Sequence, residues 1–397
     1  MRLVILDDNY PAPNNLYADV FAHVRAKRYA ESHEVVVLSS WSQSGEPYVY
    51  EGIEVRPCGS VAEIARQLDA LNPDAVLVHF ATFPVIKAVI LPSRFRFIVW
   101  VHGFEVTGWF RRLYDFQTPL HFLRYIKGNI IQRRAFRRLI QESNRSGRIR
   151  FVFVSEWIRR VAEADCGVAS HHSLVISNPI DDQLLAYRPK SPRDRFNILI
   201  LRPFRGRKFA TDIMTAALEE LDLIGAIHRF RFEVRGSHAT ASKMFRLFNG
   251  RPNFSFSNEF VPHRDLAQLH ERNGVILAIS RQDTHGVTAC EAMASGLVPI
   301  SSNNSAIPEY MTHEVSCLLT DNDPVSVAAA IVRLAEDEAL FSRLSAGAAA
   351  ETRRKSAING VIARELKAIA ALIATEKCAE TADLDAGLAS LKQSVNP

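Results

Sequence analysis

The sequence predicts an α/β protein of two doubly wound domains. Three observations predict it. Short apolar runs of strand length alternate with helical periodicity, the alternation restarts after a polar linker near the middle, and 397 residues suffice for two domains of ordinary size. A composition of 47% hydrophobic and 23% charged residues fits a globular, water-soluble protein.

The first half opens with a buried strand, Arg2 to Leu6, and a Pro-containing loop, Pro11-Ala12-Pro13-Asn14-Asn15. Leu16 to Tyr29 then has helical spacing through Leu16, Val20, Phe21 and Val24. His33 to Leu38 is the next strand, Val61 to Leu71 a helix, and Ala75 to Val78 and Phe97 to Val101 are strands. His102-Gly103 follows the last of these directly. A histidine at a strand's carboxyl end either faces the cleft or is a loop residue satisfied by a neighbouring carbonyl.

Residues 109–150 carry eleven Arg and Lys residues against only Asp115 and Glu142, interleaved with aromatic and aliphatic residues. A basic amphipathic helix of this kind suits an anionic membrane surface; the alternative is a solvated helix flank. Nucleic acid is a third option that no motif supports. Phe151 to Val154 leads through Ser155 into the helix Glu156 to Ala164, and the polar linker Asp182 to Arg195 ends this half.

In the second half, the strand Asn197 to Leu201 runs into Arg202-Pro203-Phe204-Arg205-Gly206-Arg207-Lys208, and Lys208 to Leu221 reads as a helix. So cationic a loop between strand and helix suits a diphosphate, Arg pairing in bidentate fashion and Lys as a point charge. Further strands are Phe230 to Val234, Phe254 to Phe256 and Val275 to Ile279, with Val261-Pro262-His263 opening the helix Arg264 to Glu271. Ala357 to Thr375 is an apolar-rich helix, and from Glu376 apolar residues thin out. The expected units are 1–182, with the basic segment 109–150; 183–350; a final helix, 351–375; and a mobile tail, 376–397.

The residues that carry chemistry lie between the apolar runs Gly274 to Ile279 and Leu297 to Ile300. There the chain reads Ser280-Arg281-Gln282-Asp283-Thr284-His285-Gly286-Val287-Thr288-Ala289-Cys290-Glu291-Ala292-Met293-Ala294-Ser295-Gly296, a strand, loop, helix and strand. Open α/β sheets bind ligands at such strand ends. Unpaired N–H groups at the helix start, Gly286, Val287 and Thr288, suit a phosphate. Asp283 and Glu291 bracket that point and suit sugar or ribose hydroxyls.

Five scattered cysteines (Cys58, Cys166, Cys290, Cys317 and Cys378) make no Cys-x-x-Cys pair, against a zinc site or a disulfide framework. The amino terminus turns acidic too early for a signal peptide, and the apolar stretch Ala75 to Leu91 is broken by His79, Pro84 and Lys87, so neither export nor a membrane span is expected. No metal-ligand cluster is apparent, and no metal or other cofactor is expected.

The pair Asp283 and Glu291, with Glu291-Ala292-Met293-Ala294-Ser295-Gly296 and the following apolar strand, resembles the acidic-x7-Glu signature of the family 4 retaining glycosyltransferases, Asp283 standing where Glu is usual. Ala306-Ile307-Pro308-Glu309 is similar to the family's next turn, His102-Gly103 to its His-Gly, and Val261-Pro262 to the segment before its last nucleotide-binding strand. Arg202 and Lys208 match most closely its Gly-Arg and Lys-Gly positions, with Arg205 a rival for the Arg role. Glu309 is left open between helix cap and nucleotide ligand.

The resemblance implies the GT-B fold of two doubly wound, Rossmann-like domains facing each other across a cleft, with the last helix packing back onto the first. It implies a nucleoside diphosphate sugar as donor: Glu291 on the ribose, Asp283 on the sugar, Arg202 or Arg205 with Lys208 on the diphosphate, and His102 on the sugar from the opposite wall. Catalytic residues would thus be Asp283, Glu291 and His102, with Asn14 and Asn15 on the acceptor side. The implied reaction is retaining transfer to a saccharide or polyprenyl-linked saccharide in surface polysaccharide or lipopolysaccharide synthesis, by a cytoplasmic protein peripheral at the inner membrane face. A catalytically silent GT-B subunit, a nucleotide-sugar epimerase and a nucleic-acid binder resting on 109–150 are the alternatives.

Overall fold

The computed structural model describes residues 1–12, 19–39, 45–116, 118–202, 206–236, 242–259 and 261–374. Eight strands form the first sheet: β1 (Arg2–Asp7), β2 (Glu34–Ser39), β3 (Tyr48–Tyr50), β4 (Ile53–Pro57), β5 (Ala75–His79), β6 (Phe97–Val101), β7 (Ile149–Phe153) and β8 (Ser173–Val175). Their order is β3-β4-β2-β1-β5-β6-β7-β8, parallel except for the β3–β4 hairpin. Six parallel strands form the second: β9 (Asn197–Leu201), β10 (Arg231–Arg235), β11 (Phe254–Ser257), β12 (Val275–Ala278), β13 (Val298–Ser302) and β14 (Leu318–Thr320), in the order β11-β10-β9-β12-β13-β14.

Parallel strands covered by helices on both faces read as continuous apolar runs rather than alternating ones. Phe97-Ile98-Val99-Trp100-Val101 and Val275-Ile276-Leu277-Ala278 are buried at every position. Each sheet therefore has two apolar cores, one per face.

The helix at 358–374 belongs to the first domain's core, not the second's. Ile358, Val361, Ile362, Ala368, Ile369 and Leu372 pack with Leu3, Ile5 and Trp100. Its Glu365 is fully buried and accepts from Arg25 Nε at 2.9 Å, Tyr29 Oη at 2.5 Å and Trp100 Nε1 at 3.2 Å. A buried ion pair is tolerable only when its remaining lone pairs and protons are satisfied, as they are here, with Arg25 also donating to Asn178.

Three expected elements come out differently. The helix after the cationic loop does not begin at Lys208. A 3-10 turn covers Arg207–Phe209, Ala210 sits in the left-handed region at φ 47°, and the α-helix runs Thr211–Leu223. His263 likewise opens a 3-10 turn, His263–Asp265, before the helix Leu266–Glu271.

The basic segment is not one helix. A 3-10 stretch at Trp109–Asp115 precedes a 28-residue α-helix, Pro119–Ser146, which starts on Pro119 with Thr118 accepting from His121 N. Several of its cations are spent internally: Arg111 pairs with Asp165 at 2.8 Å, Arg112 with Asp115 at 2.6 Å, and Arg148 donates to carbonyls of Ile90, Leu91 and Phe95. Asp165 lies beyond the segment, so counting charges within 109–150 overstated its free positive charge. The exposed apolar residues gather at its beginning, Phe110, Leu113, Leu120 and Leu123, whereas Phe136, Leu139 and Ile140 are core. The predicted tail, 376–397, lies outside the described residues.

Candidate active site

In a doubly wound sheet the chain leaves neighbouring strands in opposite directions at one point, and the carboxyl ends there border a crevice. In the second sheet that point lies between β9 and β12; in the first, between β1 and β5. β9 delivers Arg202 and β12 delivers the loop Ser280–Gly286, so the cationic and acidic stretches meet at one switch point. Asn14, Asn15 and Arg205 lie outside the described residues.

A cavity of about 350 Å³ opens there, lined by Leu201, Arg202, Val261, His263, Val287, Thr288 and Glu291, with Val20, Phe21 and Val24 of the first domain closing it. Arg202 is only 8% exposed. Burial pulls its guanidinium below the ordinary arginine value, opposed by Asp283 and Tyr310. Among the described residues it has no side-chain hydrogen bond and no ion pair; its Cζ lies 5.5 Å from the Phe209 ring centre. Lys208 Nζ lies 5.7 Å from the same ring and has no carboxylate partner among the described residues. Lys208 does not line the cavity, but it shares the Phe209 ring with Arg202, which does.

The helix Val287–Ala294 starts against this cavity, with no side-chain cap. Gly286 is needed at its head because a Cβ there would meet Tyr310 Oη at 2.9 Å and Asp283 Oδ2 at 3.1 Å. Asp283 is 8% exposed, accepts from His285 N at 3.2 Å, and stands behind the helix start rather than in the cavity lining. Glu291 does line the cavity, and its Oε1 is 3.1 Å from His263 Nε2. Burial depresses the His263 imidazole, but the Glu291 hydrogen bond and charge outweigh it, so its net pKa is raised.

The acid loop is also the hub between the parts of the site. Arg281 donates its backbone N–H to Lys208 O at 2.8 Å and its side chain to Arg207 O and Asp212, tying the cationic turn to the loop. Gln282 accepts from Tyr114 Oη of the basic segment at 2.8 Å. Thr284 Oγ1 donates to His102 O at 2.6 Å. Gly103 makes that contact possible: its φ is 140° and an added Cβ would lie 2.8 Å from Thr284 Cγ2.

On the opposite wall His102 Nε2 is 3.0 Å from His79 Nδ1, and its ring packs on Phe21 and Phe80. Burial pushes both imidazoles well below their ordinary value, so the pair is neutral. Nearby carboxyls shift the other way. Burial raises Glu105 to about 7, although it accepts from His102 N and Gly103 N. Asp7, Asp8 and Asp19 bring carboxylate oxygens within 4.8 Å of one another; burial and the charges of Asp8 and Glu105 raise Asp19 to about 7, against a hydrogen bond to Asp7 that lowers it.

Glu309 is a cap, and across the domain boundary. Its oxygens accept from Glu156 N at 2.7 Å and Trp157 N at 2.6 Å, the orphan donors opening the first domain's helix Glu156–Cys166. The sequence reading missed Phe209, His263 and Arg281 as parts of the site. Only His263 carried a signal, its place directly after Val261-Pro262.

Two family models match the chain: one described as Glycosyltransferase Family 4 over residues 18–184 and one described as Glycosyl transferases group 1 over residues 204–337. No curated protein matches significantly. Among solved structures, the chain is similar to sucrose-phosphate synthase from Thermosynechococcus elongatus, at a TM-score of 0.73 and 13% identity, covering 94% of this chain and 99% of that one. It is similar to a trehalose-phosphate synthase (UDP-forming) from Burkholderia vietnamiensis, at 0.71 and 13%, covering 94% and 98%. It is also similar to Anabaena HepE in complex with UDP and glucose, at 0.67 and 14%, covering 92% and 99%. At these identities the structures speak to the fold, and the family models to the activity: the chain is a glycosyltransferase with the GT-B fold.

Proposed function

We propose that this glycosyltransferase takes a nucleoside diphosphate sugar as donor and transfers the sugar with retention to a saccharide or polyprenyl-linked saccharide acceptor, in surface polysaccharide synthesis. The observation that carries the donor reading is Arg202: a buried guanidinium, without hydrogen bond or ion pair among the described residues, lining a cavity with Glu291 and an uncapped helix start. An unpaired buried charge is costly, and an anionic ligand at that point removes the cost. Arg202 and Lys208 then hold the diphosphate with the N–H group of Thr288, since Val287 N, expected to be unpaired, already donates to His285 O at 2.9 Å, and Glu291 holds the ribose.

Asp283, behind the helix start and outside the cavity lining, acts on the sugar site through Arg202, whose charge it favours, and His102 reaches the sugar from the other wall as a neutral imidazole. As the anomeric carbon–oxygen bond lengthens, charge builds on the departing phosphate and in an oxocarbenium-like sugar. Fixed cations aimed at the phosphate stabilise that charge without reorganising. The acceptor hydroxyl attacks from the same face, and no side chain is assigned as nucleophile. UDP-glucose is the first donor to try, because HepE was solved with UDP and glucose.

The acceptor side is proposed to face a membrane. No helix among the described residues is long and apolar enough to cross one. The exposed Phe110, Leu113, Leu120 and Leu123 lie beside Arg124 and Lys127, a pairing suited to the inner surface of an anionic bilayer, with the protein peripheral to it. Thermal-shift measurements with UDP-, GDP- and ADP-sugars test the donor reading. A rise in Tm with one nucleotide class supports it, and no shift with any overturns it.

A further inference from the structure

The backbone at Phe80 is strained. Phe80 follows β5 at the first sheet's switch point with φ 57°, the left-handed region that bulky side chains avoid. Among the described residues it is the one aromatic residue with a positive φ. Such strain persists where the surroundings over-determine it, and it gathers at sites that clamp ligands.

Here it places a ring in a row of rings. Phe80 lies 4.6 Å from His102 at 38° and 5.5 Å from Phe104 at 24°, with Phe21 edge-on at 5.9 Å. The row starts in the donor cavity, which Phe21 lines, and ends in solvent at Phe104, 45% exposed. His102, in the middle, is tied through its carbonyl to Thr284 of the acid loop.

We propose that the Phe80–Phe104 stack is a platform on which a pyranose ring of the acceptor lies, its apolar C–H face against the rings. This deepens the acceptor reading above and rests on it. A pyranose has one flat C–H face and a hydroxyl rim, and an aromatic face attracts C–H groups by dispersion and by its negative quadrupole. The surroundings share that mixed character: the half-buried His102 imidazole stands against Phe80, and the half-buried Asp19 carboxyl lies close enough to Glu105, the residue after Phe104, to feel its charge.

The test is saturation-transfer NMR with methyl α- and β-hexopyranosides of glucose, galactose, mannose and N-acetylglucosamine, using the full chain. At least one glycoside should receive transfer on its ring C–H protons. Phe104→Ala should reduce it about fivefold or more. Phe104→Tyr should restore it, and Phe80→Asn, which tolerates the left-handed backbone but has no phenyl ring, should reduce it like Phe104→Ala. No transfer from the wild type, or transfer undiminished in Phe104→Ala, overturns the proposal. So does Phe104-dependent binding of decyl phosphate with none of any glycoside. A UDP thermal shift run in parallel separates the two readings: its absence removes the donor assignment alone, whereas a UDP shift with flat NMR removes the platform alone.

Discussion

The two walls of the cleft are built on the same sheet architecture and carry opposite chemistry. The second domain's wall offers Arg202 and Lys208 without carboxylate partners among the described residues, and an uncapped helix start. The first domain's wall offers neutral imidazoles at His79 and His102, stacked phenyl rings, and buried carboxyls whose affinity for protons is raised. One wall is therefore poised for a fixed anion and the other for a neutral, hydroxyl-rich molecule. Each group follows the rule that burial favours the uncharged form; Arg202 stays charged because its ordinary value lies so high. A topological switch point thus supplies a crevice, and the side chains at the strand ends decide what enters it.

Removing the cation from the second domain's wall should have the largest effect. Arg202→Ala should lower kcat/KM for the donor by about a hundredfold or more, whereas Arg202→Lys, keeping the charge but losing the fork, should recover part of it. Steady-state rates with UDP-glucose and other nucleotide sugars measure this, and an unchanged rate would show that the cationic wall does not hold the diphosphate.

Glu291→Ala should act mainly on KM, raising it about tenfold to a hundredfold through loss of the ribose contact, with the melting temperature little changed. An intact donor KM would remove Glu291 from the site.

The walls are also held together, and Glu309 tests that. Glu309→Ala strips two backbone N–H groups of their acceptor and should cost about 1–2 kcal/mol in chemical unfolding. If donor binding were lost while stability held, Glu309 would be a nucleotide ligand and not a cap.

The smallest effect belongs to the acidic side. The Asp19 carboxyl is raised from 3.8 to about 7 in the folded chain. Its contribution to stability is complete below about pH 4 and is lost as pH rises through 7, where ionisation meets the buried site and its acidic neighbours. Asp19→Asn should flatten that decline in a series of melting temperatures from pH 4 to 8; an unaltered slope would place the decline elsewhere.

Much of the proposed donor side was legible because it is local. Strand, loop and helix are adjacent in sequence around Asp283 and Glu291, so periodicity alone brings them to one strand end. The cationic loop was readable for the same reason, although Ala210 turned its expected helix into a 3-10 step. Contacts between distant segments were not readable. Nothing near Arg111 points to Asp165, nothing near Glu309 to the amides of Glu156 and Trp157, and nothing near His263 to Glu291. Each joins residues dozens of positions apart whose meeting depends on how sheets and domains pack.

The doubly wound architecture, the restart at mid-chain and the acid-bearing loop follow from local sequence, because apolar periodicity and strand-to-helix spacing are properties of neighbouring residues. Tertiary packing alone leaves Arg202 buried without a carboxylate partner among the described residues, sets Asp283 behind the helix start, and forces Phe80 into a left-handed turn beside His102. Burial, charge pairing and strain arise where separate strand ends converge, and a linear pattern holds no record of that convergence.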